Sequence, residues 1–208
     1  MFEPSADLLP QLFHDTRILV LEGPDGVGKT TLVNKIKAFH VYTDLEVVQV
    51  RCPDNRGDAA IRACILGETI AAFPMAQAFL FMADFLLAYE SVIKPKLDDP
   101  RVVFLFDRFI PSTCLYQKLE LDYLNQVFEA GYPEFAEAFS LAKYVYLHPG
   151  NLDTHRERLA KKQGEEVNHL DPKSDDEVMR QIMNYYMFSL AHEDKGLLGS
   201  RRVERLIV

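Results

Sequence analysis

The segment Gly23-Pro24-Asp25-Gly26-Val27-Gly28-Lys29-Thr30 decides the fold of this chain of 208 residues. It matches the phosphate-binding loop pattern G-x4-G-K-[ST], in which glycines permit positive φ angles and turn backbone N–H groups toward a phosphate. The Lys29 ammonium can neutralise the β and γ oxygens, and the Thr30 hydroxyl can ligate Mg²⁺. The loop therefore predicts a nucleoside triphosphate held by Gly23, Gly26, Val27, Gly28, Lys29, Thr30 and Thr31.

The loop has the structural context that it requires. Ile18-Leu19-Val20-Leu21 is an apolar run rich in strand formers, and the apolar residues between Thr30 and Phe39 have helical spacing. A helix that begins here points the positive end of its dipole at the bound anion.

Strands and helices alternate along the rest of the chain. Further strands are predicted at Glu46–Val50, Val102–Phe106, Tyr144–Leu147 and Val203–Val208. Helices are predicted at Phe73–Leu97, which should be buried on several sides, at Ser112–Ala130, and after the capping box Ser174–Glu177. This alternation predicts an α/β fold, a P-loop three-layer sandwich with a five-stranded parallel sheet flanked by helices.

The predicted P-loop domain covers residues 17–208, behind an N-terminal extension of residues 1–16. Within the domain, Asn151–Pro172 is dense in charged and amide side chains and carries Gly164. This segment is predicted to be a mobile lid, the usual device for excluding water from a closed site.

Composition excludes several classes of protein. Hydrophobic residues are 48% of the chain, charged residues 26% and the net charge is −8, which disfavours both disorder and a grip on nucleic acid polymers. The three cysteines form no disulfide or zinc pattern, the first fifteen residues carry no Lys or Arg, and the most apolar stretch, Ala71–Ala83, is too short for a bilayer. We expect a cytoplasmic protein without a membrane or nucleic acid partner.

The third strand ends in Asp107-Arg108. An aspartate at the carboxyl end of a strand beside the loop can hold Mg²⁺ together with Thr30, and the adjacent arginine can meet a second phosphate. An ordinary surface ion pair would have the same sequence. A GTPase is excluded because the sequence has no Asn-Lys-x-Asp base reader.

Four blocks carry a family resemblance. They are Glu22-Gly23-Pro24-Asp25-Gly26, Arg51-Cys52-Pro53, Leu80-Phe81-Met82-Ala83-Asp84 followed by Ile93-Lys94-Pro95, and Asp107-Arg108-Phe109-Ile110-Pro111-Ser112-Thr113-Cys114-Leu115-Tyr116-Gln117. In that order they resemble the E-G-x-[DE]-G, R-x-P, L-F-x-A-D-R…I-x-P and D-R-[YH]-x-x-S-x-x-A-Y-Q segments of the thymidylate kinase family. The resemblance runs from about residue 17 to the C-terminus.

The resemblance implies transfer of the ATP γ-phosphate to the 5′-phosphate of deoxythymidine monophosphate, with Mg²⁺, in a homodimer. It implies that Asp25 meets the sugar hydroxyl and the metal site, that Arg51 and Arg108 clamp the acceptor phosphate, and that Tyr116 packs beneath the sugar. The implied substrate-binding set is Asp25, Arg51, Phe81 beneath the base, Phe85, Arg108, Ser112, Thr113 at the base edge, Tyr116 and Gln117. Without the family, Arg51 also fits a surface position, and Phe81 and Tyr116 also fit core positions.

Two departures from the family pattern affect the site. Gly26 stands where some members carry a catalytic arginine, so the implied catalytic set is Lys29, Asp25, Arg108 and the lid cations Arg156 and Arg158, with Lys161 and Lys162 also available. These cations also fit a solvated helix face paired with Glu157, Glu165 and Glu166.

The second departure is Phe85, which replaces the arginine that reads the thymine carbonyl in the family. Either Thr113 or Gln117 supplies another donor, or the pocket accepts a different base such as a 5-substituted deoxyuridylate, or Phe85 is a core residue.

Three function classes stay open. A deoxynucleoside monophosphate kinase needs no general base because the second pKa of its acceptor phosphate is near 6. A deoxynucleoside kinase acts on a hydroxyl and would need a base, for which Glu22 is the candidate. The third class, a non-catalytic nucleotide-binding module, is disfavoured by the intact Lys29, Thr30 and Asp107.

Overall fold

A computed structural model describes residues 12–13, 15–39, 44–53, 59–162, 172, 174–192 and 202–208. Its centre is a sheet of five parallel strands in the order β2-β3-β1-β4-β5. The strands are β1 Ile18–Glu22, β2 Glu46–Arg51, β3 Val102–Asp107, β4 Lys143–His148 and β5 Arg202–Ile207. The predicted five-stranded parallel α/β sheet is confirmed.

Helices cover both faces of the sheet. They are α1 Lys29–Phe39, α2 Ala59–Leu66, α3 Glu68–Ala71, α4 Pro74–Ala88, α5 Ile110–Gln117, α6 Leu121–Gly131, α7 Pro133–Ser140, α8 Leu152–Lys162 and α9 Asp175–Ala191. Every residue of β1 and β3 is buried, as in strands covered on both faces. Alternate β1 residues point to opposite faces: Ile18 and Val20 join the core under α4 and α5, whereas Leu19 and Leu21 join the core under α1.

The predicted helix Phe73–Leu97 is present as a helical run over Pro74–Lys96, but it differs from the prediction in helix type and in burial. The α-helix begins at Pro74 and ends at Ala88, after which a π-helical turn, Tyr89–Ile93, and a 3₁₀ turn, Lys94–Lys96, complete the run. The helix is not buried on several sides, because Met75 and Phe79 are 44% and 46% exposed.

The helical run Pro74–Lys96 is long and apolar enough to cross a membrane by length and composition, with a mean hydropathy of 1.4. The apolar helical element is therefore longer than the 13-residue stretch, Ala71–Ala83, on which the sequence analysis judged membrane crossing. In the fold the helix is half buried and contributes Phe81 and Phe85 to the main core, which is also the behaviour of a core helix in a globular domain.

The predicted helix Ser112–Ala130 is two helices. α5 begins at Ile110 and ends where Lys118 takes the left-handed conformation, with a φ of 55°. This residue lets the Leu119 N–H bond to the Cys114 carbonyl, which closes the helix end, and α6 begins at Leu121. Helical periodicity continues across the break, so the pattern alone cannot reveal it.

The last described residues of the predicted N-terminal extension pack on the domain. Leu12 is fully buried in the core under α1, and the Thr16 hydroxyl bonds to the Ile18 and Leu141 carbonyl oxygens at 2.8 Å each. Residues 1–11 and 14 lie outside the described residues.

The sheet order brings the predicted site residues to one edge. The register of β1 and β3 sets Leu21 opposite Asp107, and that of β2 and β3 sets Arg51 opposite Asp107. The carboxyl ends of three neighbouring strands therefore meet beside the loop Gly23–Gly28, as is usual for ligand sites in parallel sheets.

Candidate active site

A cavity of about 420 Å³ lies at this edge of the sheet. Most of the predicted site residues line it: Asp25, Gly26, Gly28, Lys29, Thr30, Thr31, Arg51, Phe81, Phe85, Asp107, Arg108, Ser112, Thr113, Tyr116, Gln117 and Arg158. Gly23, Val27 and Arg156 do not line it. The sequence therefore located most of this cavity, although the roles implied for these residues stay predictions.

Backbone carbonyl oxygens of the P-loop hold the side chain of its lysine. Gly23, Gly26 and Gly28 have φ angles of 146°, 75° and 108°, and a Cβ at Gly23 would lie 2.6 Å from the Leu147 carbonyl oxygen. The Lys29 ammonium donates to the carbonyl oxygens of Gly23 at 2.9 Å and Pro24 at 2.8 Å. Burial, together with the nearby Arg108 charge, lowers the pKa of Lys29 to about 8.

Arg108 connects the P-loop to α5 and α9. Its guanidinium forms an ion pair of 2.7 Å with Asp25 and donates to the Gly23 carbonyl oxygen, the Ser112 hydroxyl and the Tyr185 hydroxyl. The backbone of Arg108 is left-handed, with a φ of 74°. The ion pair is largely shielded from water, so it orients both side chains more firmly than a surface pair would. Arg108 is therefore not the ordinary surface pair that its sequence also allowed.

Glu22 is turned away from the cavity. It is fully buried, and its carboxylate accepts from the Phe109 N–H at 2.7 Å and from the Ser112 hydroxyl at 2.6 Å. Burial raises the pKa of Glu22 to about 7. These contacts tie Glu22 to the start of α5. None of the described contacts of Glu22 faces the cavity in which a substrate hydroxyl would lie.

Aromatic side chains form one wall of the cavity. Phe85 is 2% exposed and packs on Phe109 with ring centroids 4.6 Å apart, and Phe109 in turn stacks on Phe139 at 4.5 Å. Phe85 stands where the family pattern has an arginine, and Phe109 stands where it has Tyr or His, so these two positions contact each other in space. Phe85 is at once a core residue and a cavity-lining residue.

The sugar end of the predicted acceptor site is tied to the P-loop. The Tyr116 hydroxyl donates to the Asp25 carboxylate at 2.9 Å, and the Arg108 guanidinium lies 5.5 Å from the Tyr116 ring centroid. Asp25 therefore bridges the residue predicted to clamp the acceptor phosphate and the ring predicted to lie under the sugar.

Helix α8, the described part of the predicted lid, rests on the P-loop. The Arg158 guanidinium donates to the Val27 carbonyl oxygen at 3.3 Å, and a Cβ on Gly26 would lie 2.8 Å from Leu159. Arg156 instead pairs with Asp153 at 3.5 Å and with Asp175 at 3.4 Å. Of the two predicted lid arginines, the structure places Arg158 at the cavity and Arg156 outside it. Residues 163–171 of the predicted lid lie outside the described residues.

The sequence analysis missed five residues that line the cavity: Cys52, Pro53, Arg62, Leu66 and Phe109. Arg62 on α2 donates to the Pro53 carbonyl oxygen at 3.0 Å and adds a cation to the side that carries Arg51. The only sequence signal for Arg62 is that it is the single charged residue in the short apolar run of α2. Hydrophobic periodicity could not distinguish this run from the neighbouring loop.

The residues present fit a magnesium ion. The Thr30 hydroxyl and the Asp107 carboxylate line the same cavity and supply the oxygen ligands that Mg²⁺ prefers. Among the residues that the structure describes, no group of three or more His, Cys, Asp and Glu side chains gathers. One carboxylate and one hydroxyl suit an ion that also binds substrate phosphates, because Mg²⁺ rarely occupies a site made wholly of protein ligands.

Comparison with known proteins agrees with the geometry. The family model of thymidylate kinase matches residues 21–196. Similar proteins include a thymidylate kinase of Mesoplasma florum, 34% identical over 60% of this chain and 63% of its own length, and a probable thymidylate kinase of Caldivirga maquilingensis, 36% identical over 47% of each. A third is a thymidylate kinase of Bifidobacterium longum, 37% identical over 46% of this chain and 48% of its own. The chain thus spans between about half and 63% of the length of these relatives. By the extent of the family match, this chain belongs to the thymidylate kinase family.

Proposed function

We propose that this protein is an ATP-dependent deoxynucleoside monophosphate kinase that phosphorylates thymidylate or a closely related pyrimidine deoxynucleotide. The observation that carries the proposal is that five of the described cations line one cavity. Lys29 and Arg158 bond to P-loop carbonyl oxygens, and Arg108 extends from the P-loop to Ser112 and Tyr185. Arg51 and Arg62 lie at the end of β2 and on α2. Two phosphate-bearing substrates need cations in two places.

The proposed mechanism is alignment with charge neutralisation. The acceptor phosphate is already ionised at neutral pH, so the site needs no general base. Arg108 orients the acceptor, Lys29 and Arg158 neutralise charge on the transferring phosphoryl group, and the P-loop amides hold the donor. Mg²⁺, held through Thr30 and Asp107, would neutralise the donor phosphates.

A deoxynucleoside kinase is the weaker alternative. Its acceptor hydroxyl would need a base, and the candidate Glu22 already accepts two hydrogen bonds inside the protein. Its acceptor would also leave Arg51, Arg62 and Arg108 without a phosphate to bind. The homodimer implied by the family resemblance and the cytoplasmic setting expected from the composition belong to the present proposal as well.

We also propose that base choice in this protein is relaxed toward 5-substituted pyrimidines. Phe85 and Phe109 give the cavity an apolar wall where the family pattern has polar side chains. Such a wall offers no hydrogen bond to the pyrimidine 4-carbonyl, and apolar contacts discriminate between substrates weakly.

Steady-state kinetics with Mg-ATP across deoxythymidylate, deoxyuridylate, 5-hydroxymethyldeoxyuridylate, deoxycytidylate and deoxyguanylate test the base. We expect the three uracil-type nucleotides to have comparable kcat/KM values, and the double variant Phe85→Arg with Phe109→Tyr to narrow the choice to deoxythymidylate. Phe109→Tyr alone is the matched control, because it restores polarity without a cation. A strong preference of the wild type for deoxythymidylate that the double variant leaves unchanged would contradict relaxed choice.

A further inference from the structure

Two buried glutamines near the aromatic wall form a directed chain of hydrogen bonds. The Gln77 side-chain amide group donates to the Ile65 carbonyl oxygen at 2.7 Å. The Gln117 amide group donates in turn to the Gln77 side-chain oxygen at 2.9 Å. Both glutamines are 3% exposed, so water contributes little to holding them.

The direction of this chain follows from the Ile65 carbonyl. A backbone carbonyl oxygen can only accept, so Gln77 must turn its NH₂ group toward Ile65 and its oxygen toward Gln117. Gln117 must then turn its NH₂ group toward Gln77. The Ile65 carbonyl oxygen thus fixes the orientation of the Gln117 amide through Gln77.

An acceptor atom stands at the end of this chain of hydrogen bonds. The Gln117 side-chain oxygen has no hydrogen-bond partner in the described part of the chain, and Gln117 lines the cavity beside Thr113 and Phe85. A buried carbonyl without a partner is unfavourable, so a ligand that brings an N–H donor gains from it. The Gln117 oxygen is therefore an acceptor without a partner in the described part of the chain, and one N–H of the same amide is held by Gln77.

We propose that Gln77 is a positioning residue that makes the pocket select bases with an N–H donor, such as the N3–H of a thymine or uracil ring. Cytosine carries an acceptor at the same ring position and would set its lone pair against the Gln117 oxygen. This inference rests on the proposed function, because it assumes that a nucleobase occupies the space beside Gln117.

The test compares three substitutions at one position. Gln77→Met and Gln77→Leu remove the acceptor that holds the Gln117 NH₂ group, so the amide is free to turn. Gln77→Glu keeps an acceptor toward Gln117 and, once protonated in its buried site, still donates to the Ile65 oxygen. The readout is the ratio of kcat/KM for deoxythymidylate to that for deoxycytidylate, with the KM for ATP and a thermal melt as controls for folding.

We expect either apolar variant to lower this ratio by about tenfold or more, through KM rather than kcat, and Gln77→Glu to keep it within about twofold of the wild type. An apolar variant that folds and keeps the wild-type ratio would overturn the proposal, and so would a Gln77→Glu variant that loses as much as the apolar ones. Calorimetric binding of the two nucleotides repeats the comparison without turnover. It separates the proposals, since a wild type that binds deoxythymidylate selectively without phosphorylating it would refute the kinase function alone.

Discussion

At the scale of single residues, Arg108 carries the largest share of the site's connections. It joins Asp25, Ser112 and Tyr185 and shares the Gly23 carbonyl oxygen with Lys29. A single backbone carbonyl thus links the cation predicted for the donor to the cation predicted for the acceptor.

Arg108→Ala should raise the KM for the acceptor nucleotide far more than the KM for ATP, because a hydrogen bond to a charged group contributes about 1.5–3 kcal/mol. It should also lower the melting temperature, because the largely shielded Asp25 carboxylate loses its ion pair. Arg108→Lys is the control: it keeps the charge but loses the two-pronged geometry, so stability should recover more than acceptor binding. Steady-state kinetics with each substrate varied decide the matter, and a larger effect on ATP would contradict the assignment.

Glu22 gives the protein a pH-dependent stability. Burial raises its folded-state pKa to about 7 from 4.5, so between these values the folded state binds a proton that the unfolded state has lost. The stabilisation that Glu22 contributes is therefore full below pH 4.5, falls as pH rises, and is lost above about pH 7. Its full extent is about 3 kcal/mol.

Denaturant unfolding across this pH range, for wild type and Glu22→Gln, measures the effect. The wild type should lose stability relative to Glu22→Gln as pH rises from 5 to about 7, and the difference should level off above that. Glu129→Gln, an exposed carboxylate on α6, controls for the loss of one charge. A wild type that instead gains stability relative to Glu22→Gln as pH rises would show that the site stabilises the Glu22 carboxylate.

At the scale of elements, α8 packs against the P-loop and brings there the arginine that we propose serves the transferring phosphate. Leu159 occupies the space into which a side chain at Gly26 would grow, and Arg158 reaches the P-loop from the same helix. A side chain at position 26 would require Leu159 to shift, which supports the proposal that Arg158 of α8 supplies the cation.

Arg158→Ala should lower kcat by about a hundredfold or more, the effect typical of a removed transition-state charge. Arg156→Ala on the same helix should change kcat by less than about twofold, because Arg156 pairs with Asp153 and Asp175 away from the cavity. Single-turnover rates of the two variants form a matched comparison. Equal losses would show that α8 acts as a unit, and a larger loss in Arg156→Ala would reverse the assignment.

Local pattern predicted the strands and the P-loop better than it predicted the helices. β1 and β3 are recognisable because strands covered on both faces have continuous apolar runs, and the P-loop because its glycines are required by its backbone. The break at Lys118 and the π-helical turn at Tyr89–Ile93 follow from tertiary packing, which no helical period records.

At the scale of the whole molecule, the site is an assembly from distant parts of the chain. Asp25, Arg51 and Arg108 were predictable because strand ends in a parallel sheet converge at one edge. Arg62 and the link from Gln77 to Gln117 were not, because side chains on separate helices meet only once the helices are packed. The contact between Phe85 and Phe109 was likewise not predictable, because these two departures from the family pattern lie on separate elements and form one apolar surface only in the fold.

The measurement that tests the central claim most directly is ³¹P NMR of the reaction of Mg-ATP with thymidine and with deoxythymidine monophosphate. The account predicts that the monophosphate is converted to the diphosphate, with new phosphoanhydride resonances, while thymidine is left unchanged. A phosphomonoester resonance formed from thymidine, with no diphosphate formed from the monophosphate, would contradict the account and establish a hydroxyl acceptor instead.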